Sequence, residues 1–233
     1  MDPQRLRLSF VIPARDEAAT VAQVLESVQR QSLAGPLEAV VVVNGSKDAT
    51  ADSVRSFKSG PELRVRLLVD PVAGVARARN RGAVAAGGEV LVFLDADSYA
   101  APDLAACVLR RVDDGWPAGC IRLVPQGHDV LDRACFGLME FGKRLFSIRA
   151  NMFYCRRDLY LATRGMDESL QLAEDLEYLS RLRAGGNPVA YVAETYIATS
   201  PRRLHSRPLR LGTVEMFTRW SLARWGIGRR WQY

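Results

Sequence analysis

Two short acidic clusters carry the residue types that do chemistry. Asp95-Ala96-Asp97 ends the apolar run Glu89–Leu94. An unpaired carboxylate is very costly in a dry core, so this pair must face a cleft. Two carboxylates one residue apart suit Mg²⁺ or Mn²⁺, which take one or two protein carboxylates and fill their shell with water and phosphate oxygens. A D-x-D in this place therefore suggests a diphosphate bound through a metal; the plainer alternative is that Asp97 caps the next turn or helix. Ser98, a polar loop and Pro102 follow, as expected of a loop at a site. Glu174-Asp175 opens a predicted helix over 174–184, with Leu176, Leu179 and Leu182 as its buried stripe. Carboxylates in a first helical turn are favoured by the macrodipole. The alternative is a general base aimed at a hydroxyl, with the Gly-containing segment Arg164–Ala173 covering an acceptor. Arg202 and Arg203, adjacent in SPRRLH, suit phosphate through charge-assisted bonds or form a solvated basic turn. His128 is read as surface.

The elements that must position these groups alternate in type. Leu8–Pro13 reads as a buried strand, and Asp16-Glu17 opens a helix with Val21, Val24, Leu25 and Val28 on one face. Glu38–Val43 is a β-branched run of the kind covered on both faces. Asp48 caps a following helix, and Val65–Val69 is the next strand. Ala76–Ala86 is a helix of small residues, Glu89–Leu94 a buried strand, and Pro102 sits in the first turn of a helix to about Val112. This order predicts an α/β domain with a mostly parallel sheet, whose ligands sit beyond the carboxyl ends of its strands. The segments to inspect are Pro13–Glu17, Asn44–Asp48, Asp70–Gly74 and Asp95–Ser98. Beyond Trp116 the pattern loosens: strands are expected near Gly119–Val124, Arg149–Cys155 and Val189–Val192, and helices over 130–146, 174–184 and 208–224.

Composition bounds the answer. The 233 residues are 48% hydrophobic and 25% charged, which excludes collagen-like, disordered and disulfide-scaffold chains. No apolar run approaches the roughly 18 residues of a membrane span, and the charged Met1–Phe10 leads into a strand without a signal-peptide stretch. Cys107, Cys120, Cys135 and Cys155 lack metal-finger spacing and read as reduced thiols. Basic residues exceed acidic ones by six, but the excess is local. From Pro201 onward eight arginines face only Glu215, while residues 1–200 carry 24 basic and 25 acidic groups. Trp220, Trp225 and Trp231 lie in the same stretch. Three readings stand for it: an ordinary packed helix, contact with an anionic membrane surface, or, last because the domain offers no basic groove, nucleic acid.

Four blocks in order carry a family resemblance: VIPARDEAATVAQVLESVQRQ at 11–31, VVVNGSKDAT at 41–50, GVARARNRGAVAAGGEVLVFLDADS at 74–98 and RGMDESLQLAEDLEYLSRLRAGG at 164–186. From Ser9 to about Gly186, some three-quarters of its length, the chain resembles the inverting GT-A glycosyltransferases of the family 2 group. The resemblance implies a single Rossmann-like, nucleotide-diphospho-sugar transferase domain over 1–200, its central sheet flanked by helices, with a basic Trp/Arg-rich extension over 201–233. It implies that Pro13, Ala14, Arg15 and Glu17 line the nucleotide pocket, Arg15 stacking on the base where relatives carry an aromatic. Asn44 would contact the base, and Val43 replaces the family's first acid there. Gly74 and Arg79 would flank the donor, and Asp95 with Ala96 would meet the ribose or sugar. Asp97, joined by Asp95, would ligate Mg²⁺ or Mn²⁺. Asp175 would be the catalytic base, with Glu174 beside it. Arg202 and Arg203, or His205 as a metal ligand, would reach the diphosphate.

The resemblance further implies a nucleoside-diphosphate sugar donor and a hydroxyl acceptor, whether glycan, lipid-linked or small molecule, and no nucleic acid. A cytoplasmic location is implied, or a peripheral one at the inner face of a membrane through the tail. Two alternatives accompany it: an inactive scaffold that binds nucleotide sugars, and a membrane-surface transferase using a polyprenyl-phosphate acceptor. A nucleotidyltransferase would need a G-x-G-T-R-like loop where PARDEA stands, and P-loop and dinucleotide-binding motifs are absent. Arg219-Trp220 resembles the end of the processive synthases' motif without its glutamine, and reads as amphipathic helix.

Overall fold

The computed structural model describes residues 6–170 and 172–205. The expected helix over 208–224, and with it the tail's proposed membrane contact, lies outside them. Among the described residues eight strands form one sheet in the order β3-β2-β1-β4-β7-β6-β8-β5. They are β1 (Leu8–Ala14), β2 (Leu37–Asn44), β3 (Leu63–Asp70), β4 (Val90–Phe93), β5 (Ser98–Ala100), β6 (Ala118–Pro125), β7 (Phe153–Arg156) and β8 (Val189–Thr199). β1 pairs in parallel with β2 and β4, β2 with β3, and β6 with β8; β7 is antiparallel to both neighbours and β5 to β8. The α/β, mostly parallel expectation holds.

Period-2 alternation decides the two faces. Phe10 and Ile12 point to the face covered by α1 (Val21–Gln29) and α4 (Leu104–Asp113), while Val11 points to that covered by α3 (Val75–Ala85) and α7 (Glu174–Ala184). The helices α2 (Thr50–Ser56), α5 (Val130–Leu145), α6 (Arg157–Ala162) and α8 (Arg202–His205) complete the described chain. All four cysteines are free. Among the described residues no helix is long and apolar enough to cross a membrane.

Several boundaries differ for physical reasons. The first helix begins at Val21 and not at Asp16, because loop side chains take the backbone donors that would open it. Ser46 Oγ accepts from Asp16 N (3.1 Å), Thr50 Oγ1 from Glu17 N (2.9 Å) and Asp48 Oδ2 from Ala18 N (3.0 Å). Asp48 thus pins a neighbouring loop and lies one residue before the cap position, Ala49. Pro102 likewise precedes α4, and β7 starts at Phe153, four residues beyond the predicted Arg149. β8 runs on to Thr199 past the predicted Val192, and β5 and α6 are short elements the pattern did not announce. In α7 the buried stripe is Tyr178, Leu179 and Leu182; Leu176 is only half-buried.

At the end of the sheet remote from the acidic clusters, a buried network sets register. Ser9 Oγ donates to Glu38 Oε2 (2.5 Å), Gly87 N to the same oxygen (2.7 Å) and Gly88 N to Ser9 Oγ (2.9 Å). A Cβ on Gly88 would lie 2.7 Å from Leu8 C, Ser9 N and Ser9 Oγ, two of which are backbone atoms with nowhere to move. Gly88→Ala is therefore expected to destabilise the domain by about 1–3 kcal/mol, read as a lower midpoint in urea unfolding.

Candidate functional site

The acidic clusters meet across one guanidinium. Arg79 projects from α3 with its side chain only 5% exposed, its Nη2 2.8 Å from Asp95 Oδ1 and its Nη1 2.7 Å from Glu174 Oε1. Asp95 lies two residues past the end of β4, and Glu174 opens α7. Burial works against the arginine's charge, but the fields of Asp95, Glu174 and Asp175 outweigh it and hold the proton more tightly. Its Nε is buried without a hydrogen-bond partner.

Asp175 lies beside this bridge, buried. Leu176 N donates to its Oδ1 (2.8 Å) and Asn151 N to its Oδ2. Burial, then the charge of Glu174, pushes its pKa up to about 6, against the pull of Arg79 and the two backbone donors. The backbone that delivers these groups is strained: Ala173, just before Glu174, has φ 59°, and Asn151 has φ 73°. Non-glycine residues in this region cost of order 1–3 kcal/mol each and persist where surrounding contacts fix them. Asn80, next to Arg79, supplies some of that fixing. Its Oδ1 accepts from Tyr160 Oη (2.7 Å) and Met166 N (2.9 Å), and its Nδ2 donates to Met166 O (2.9 Å). The segment 164–173 is thereby held against α3. Asn80 and Asn151 escaped the sequence reading; for Asn80 the available signal was an amide within a helix of small residues.

A second guanidinium gathers two carboxylates from the loops after β1 and β4. Arg202 Nη2 lies 2.5 Å from Glu17 Oε1 and 3.0 Å from Asp97 Oδ2, drawing α8 to the loops after β1 and β4. Burial raises the pKa of Asp97, as do Asp95 and Glu17, while Arg202 opposes them. Gln126 Nε2 holds the Asp97 carbonyl at 2.7 Å. Among the described residues no three His, Cys, Asp or Glu side chains converge as a closed cage. The donor set fits Mg²⁺ or Mn²⁺ nonetheless, since such ions take one or two carboxylates and complete their shell from phosphate and water. Asp97 already faces a cationic group in Arg202.

The other predicted residues are less direct. Asn44, with its amide oriented to satisfy both atoms, donates to Ala14 O and accepts from Gly74 N, each at 3.1 Å. It ties three loops together, and its polar atoms are engaged by backbone. Pro13 and Ala96 are buried at the strand ends; the side chain of Arg15 is exposed and lies 3.8 Å from Asp16. His205 turns to α5, where its Nε2 lies 2.9 Å from Asp132 Oδ2, and not to Asp97. The Arg203 side chain is outside the described set. Asp70, in a segment marked for inspection but given no role, is buried and paired with Arg81 (2.6 Å) and Arg77 (2.8 Å). Burial alone would raise its pKa, but the hydrogen bonds from Arg81, Val72 N and Arg77 bring it down to about 2.

Beside the loop that carries Asp97, between β6, β8 and α5, opens a cavity of about 740 Å³. Its walls include Tyr99, Gln126, Phe136, Phe141, Tyr191 and Tyr196. Gln126 connects it to Asp97.

The model of "Glycosyl transferase family 2" matches residues 9–159. The validoxylamine A glucosyltransferase of Streptomyces hygroscopicus is 36% identical over 125 residues, 52% of this chain and 29% of that protein. The succinoglycan biosynthesis protein ExoO of Rhizobium meliloti is 29% identical over 233 residues, 89% of this chain and 65% of that protein. The chain therefore spans under two-thirds of either relative's length. Two solved structures share the fold: S. aureus TarS 1–349 in complex with UDP (19% identity, TM-score 0.65, 84% of this chain and 61% of that one) and the mannosyltransferase PcManGT of Pyrobaculum calidifontis in complex with GDP-Man and Mn²⁺ (20%, 0.65, 94% and 66%).

Removing the Arg79 charge strands Asp95, Glu174 and Asp175 together. Arg79→Met is expected to lose about 3–5 kcal/mol of stability, measured by denaturant unfolding. An unchanged midpoint would show that the carboxylates do not depend on it.

Proposed function

Because the chain belongs to glycosyl transferase family 2, we propose that it transfers a sugar from a nucleoside diphosphate to an acceptor hydroxyl in one inverting displacement. The observation that carries this reading is the Arg79 bridge, which brings the D-x-D carboxylate Asp95 and the Glu174-Asp175 pair to the same buried cation. A donor class of this kind is supported by the solved neighbours, whose bound molecules include UDP, UDP-GlcNAc and GDP-Man.

Each residue then has a task set by its surroundings. Glu17, Asn44 and Gly74 shape the pocket for the nucleotide, with Pro13, Ala14 and Ala96 as its buried floor and Arg15 free to stack on the base. Asp97, with Asp95, would hold Mg²⁺ or Mn²⁺, which when bound neutralises charge on the leaving diphosphate. Arg202 exchanges its carboxylate partners for phosphate oxygens, with Arg203 beside it. Asp175 receives the acceptor's proton as its hydroxyl attacks, while Arg79 and Glu174 fix the local charge. One displacement requires no enzyme nucleophile. The aromatic cavity bordered by Gln126 serves the acceptor side.

A base must be ionised to work. Raised to about 6, Asp175 is protonated below that pH, so kcat/KM should climb with pH up to about 6 and level off above it. Asp175→Asn should keep donor binding, lose about 10²–10⁴ in transfer rate and abolish this limb; unchanged turnover removes Asp175 from the role. Asp97→Asn should eliminate the Mn²⁺-dependent part of donor affinity, compared by calorimetry with and without the ion. Equal Mn²⁺ dependence in both proteins would place the ion elsewhere.

A further inference from the structure

The helix α5 is inside out. Its inward side carries Asp132, Phe136, Met139, Glu140 and Lys143, all buried, three of them ionisable. They are satisfied by pairing: Lys143 Nζ donates to Glu140 Oε1 (2.7 Å), Tyr191 Oη to Glu140 Oε2 (2.5 Å), and His205 faces Asp132. The outward side reads Val130, Leu131, Ala134, Gly137, Leu138, Phe141 and Leu145, all exposed, and Phe146 continues it past the helix end. At about 100° per residue these seven fall within an arc of roughly 120°. Leu138 is 64% and Phe141 62% exposed, against 1% for Lys143. Single exposed apolar residues are ordinary; a contiguous stripe this long marks a surface that meets something.

Charge selects the partner. Arg133 and Arg144 are exposed along one edge of the stripe, and Arg183 reaches its end by donating to Ser147 O (2.9 Å). The helix carries no carboxylate on its outward arc; the nearest, Asp129, is the N-cap and accepts from Asp132 N. A second copy packed antiparallel about Leu138 would set Arg133 against its mate's Arg144, like charge on like. We infer that this face of α5 lies on an anionic lipid surface, the apolar arc at the acyl boundary and the arginines among the phosphates. The 16-residue helix is about 24 Å long and lies flat in such an interface. Phe141 and Arg144 also line the cavity beside the site, so its mouth would face the lipid.

The test uses the full chain, co-sedimented with phosphatidylcholine vesicles with or without phosphatidylglycerol. Wild type should bind the anionic vesicles. Leu138→Gln/Leu145→Gln should weaken that binding at least about tenfold, with its circular dichroism and thermal midpoint unchanged. Arg133→Gln/Arg144→Gln should weaken it about fivefold per arginine, on anionic vesicles alone. Replacing Trp220, Trp225 and Trp231 by Ala separates any contribution of the tail. Binding by both α5 variants equal to wild type overturns the inference. So does sedimentation velocity in which wild type is a dimer, the leucine variant is a monomer and vesicle binding is unaltered, since the stripe would then join copies of this chain.

Discussion

One buried cation determines how closely acids can gather here. Arg79 bonds to carboxylates from segments 16 and 95 residues away in sequence, with Asp175 close enough to feel its field. Three carboxylates so near one another in a medium of low dielectric repel. The guanidinium changes that balance because its planar fork serves two partners at once. Asp175 is raised to about 6 first by burial and then by the charge of Glu174, against the pull of Arg79.

The loops around this bridge are held by side chains more than by secondary structure. Asn44 fastens the ends of β1 and β2 to Gly74; Asp48 and Thr50 fasten the segment after β1; Asn80 fastens 164–173. Positive φ at Asp16 and Ala173 lies within the segments so fastened. Arg202 differs from them. It is 55% exposed and binds Glu17 and Asp97 from the far end of the described chain, so its contacts exchange more readily than those of Arg79.

Much of this was legible before any coordinates. Apolar runs placed seven of the eight described strands, and the alternation of strand with helix gave the mostly parallel sheet; β1, β2 and β4, covered on both faces, leave no polar alternation to misread. The loops at strand ends followed from topology, and with them Asp95, Asp97 and Asn44. The rest depended on long-range pairings that periodicity does not encode. β5 is three residues long and exists because β8 extends beside it. Glu17 looked like a helix start, yet loop side chains from 46–50 hold the backbone there. His205 has the chemistry of a ligand, but its Nε2 pairs with Asp132, on a helix read only as a helix.

The orientation of α5 is the clearest case of that limit. A 3.6-residue period gives a polar side and an apolar side without saying which turns inward. The ordinary answer buries the apolar side, since an unpaired buried charge costs several kcal/mol. α5 escapes that penalty through partners supplied by other elements, Tyr191 from β8 and His205 from α8, together with its own Glu140–Lys143 pair. Rotating the helix would forfeit the pairs with Tyr191 and His205. The apolar stripe is then left outward, bordered by arginine.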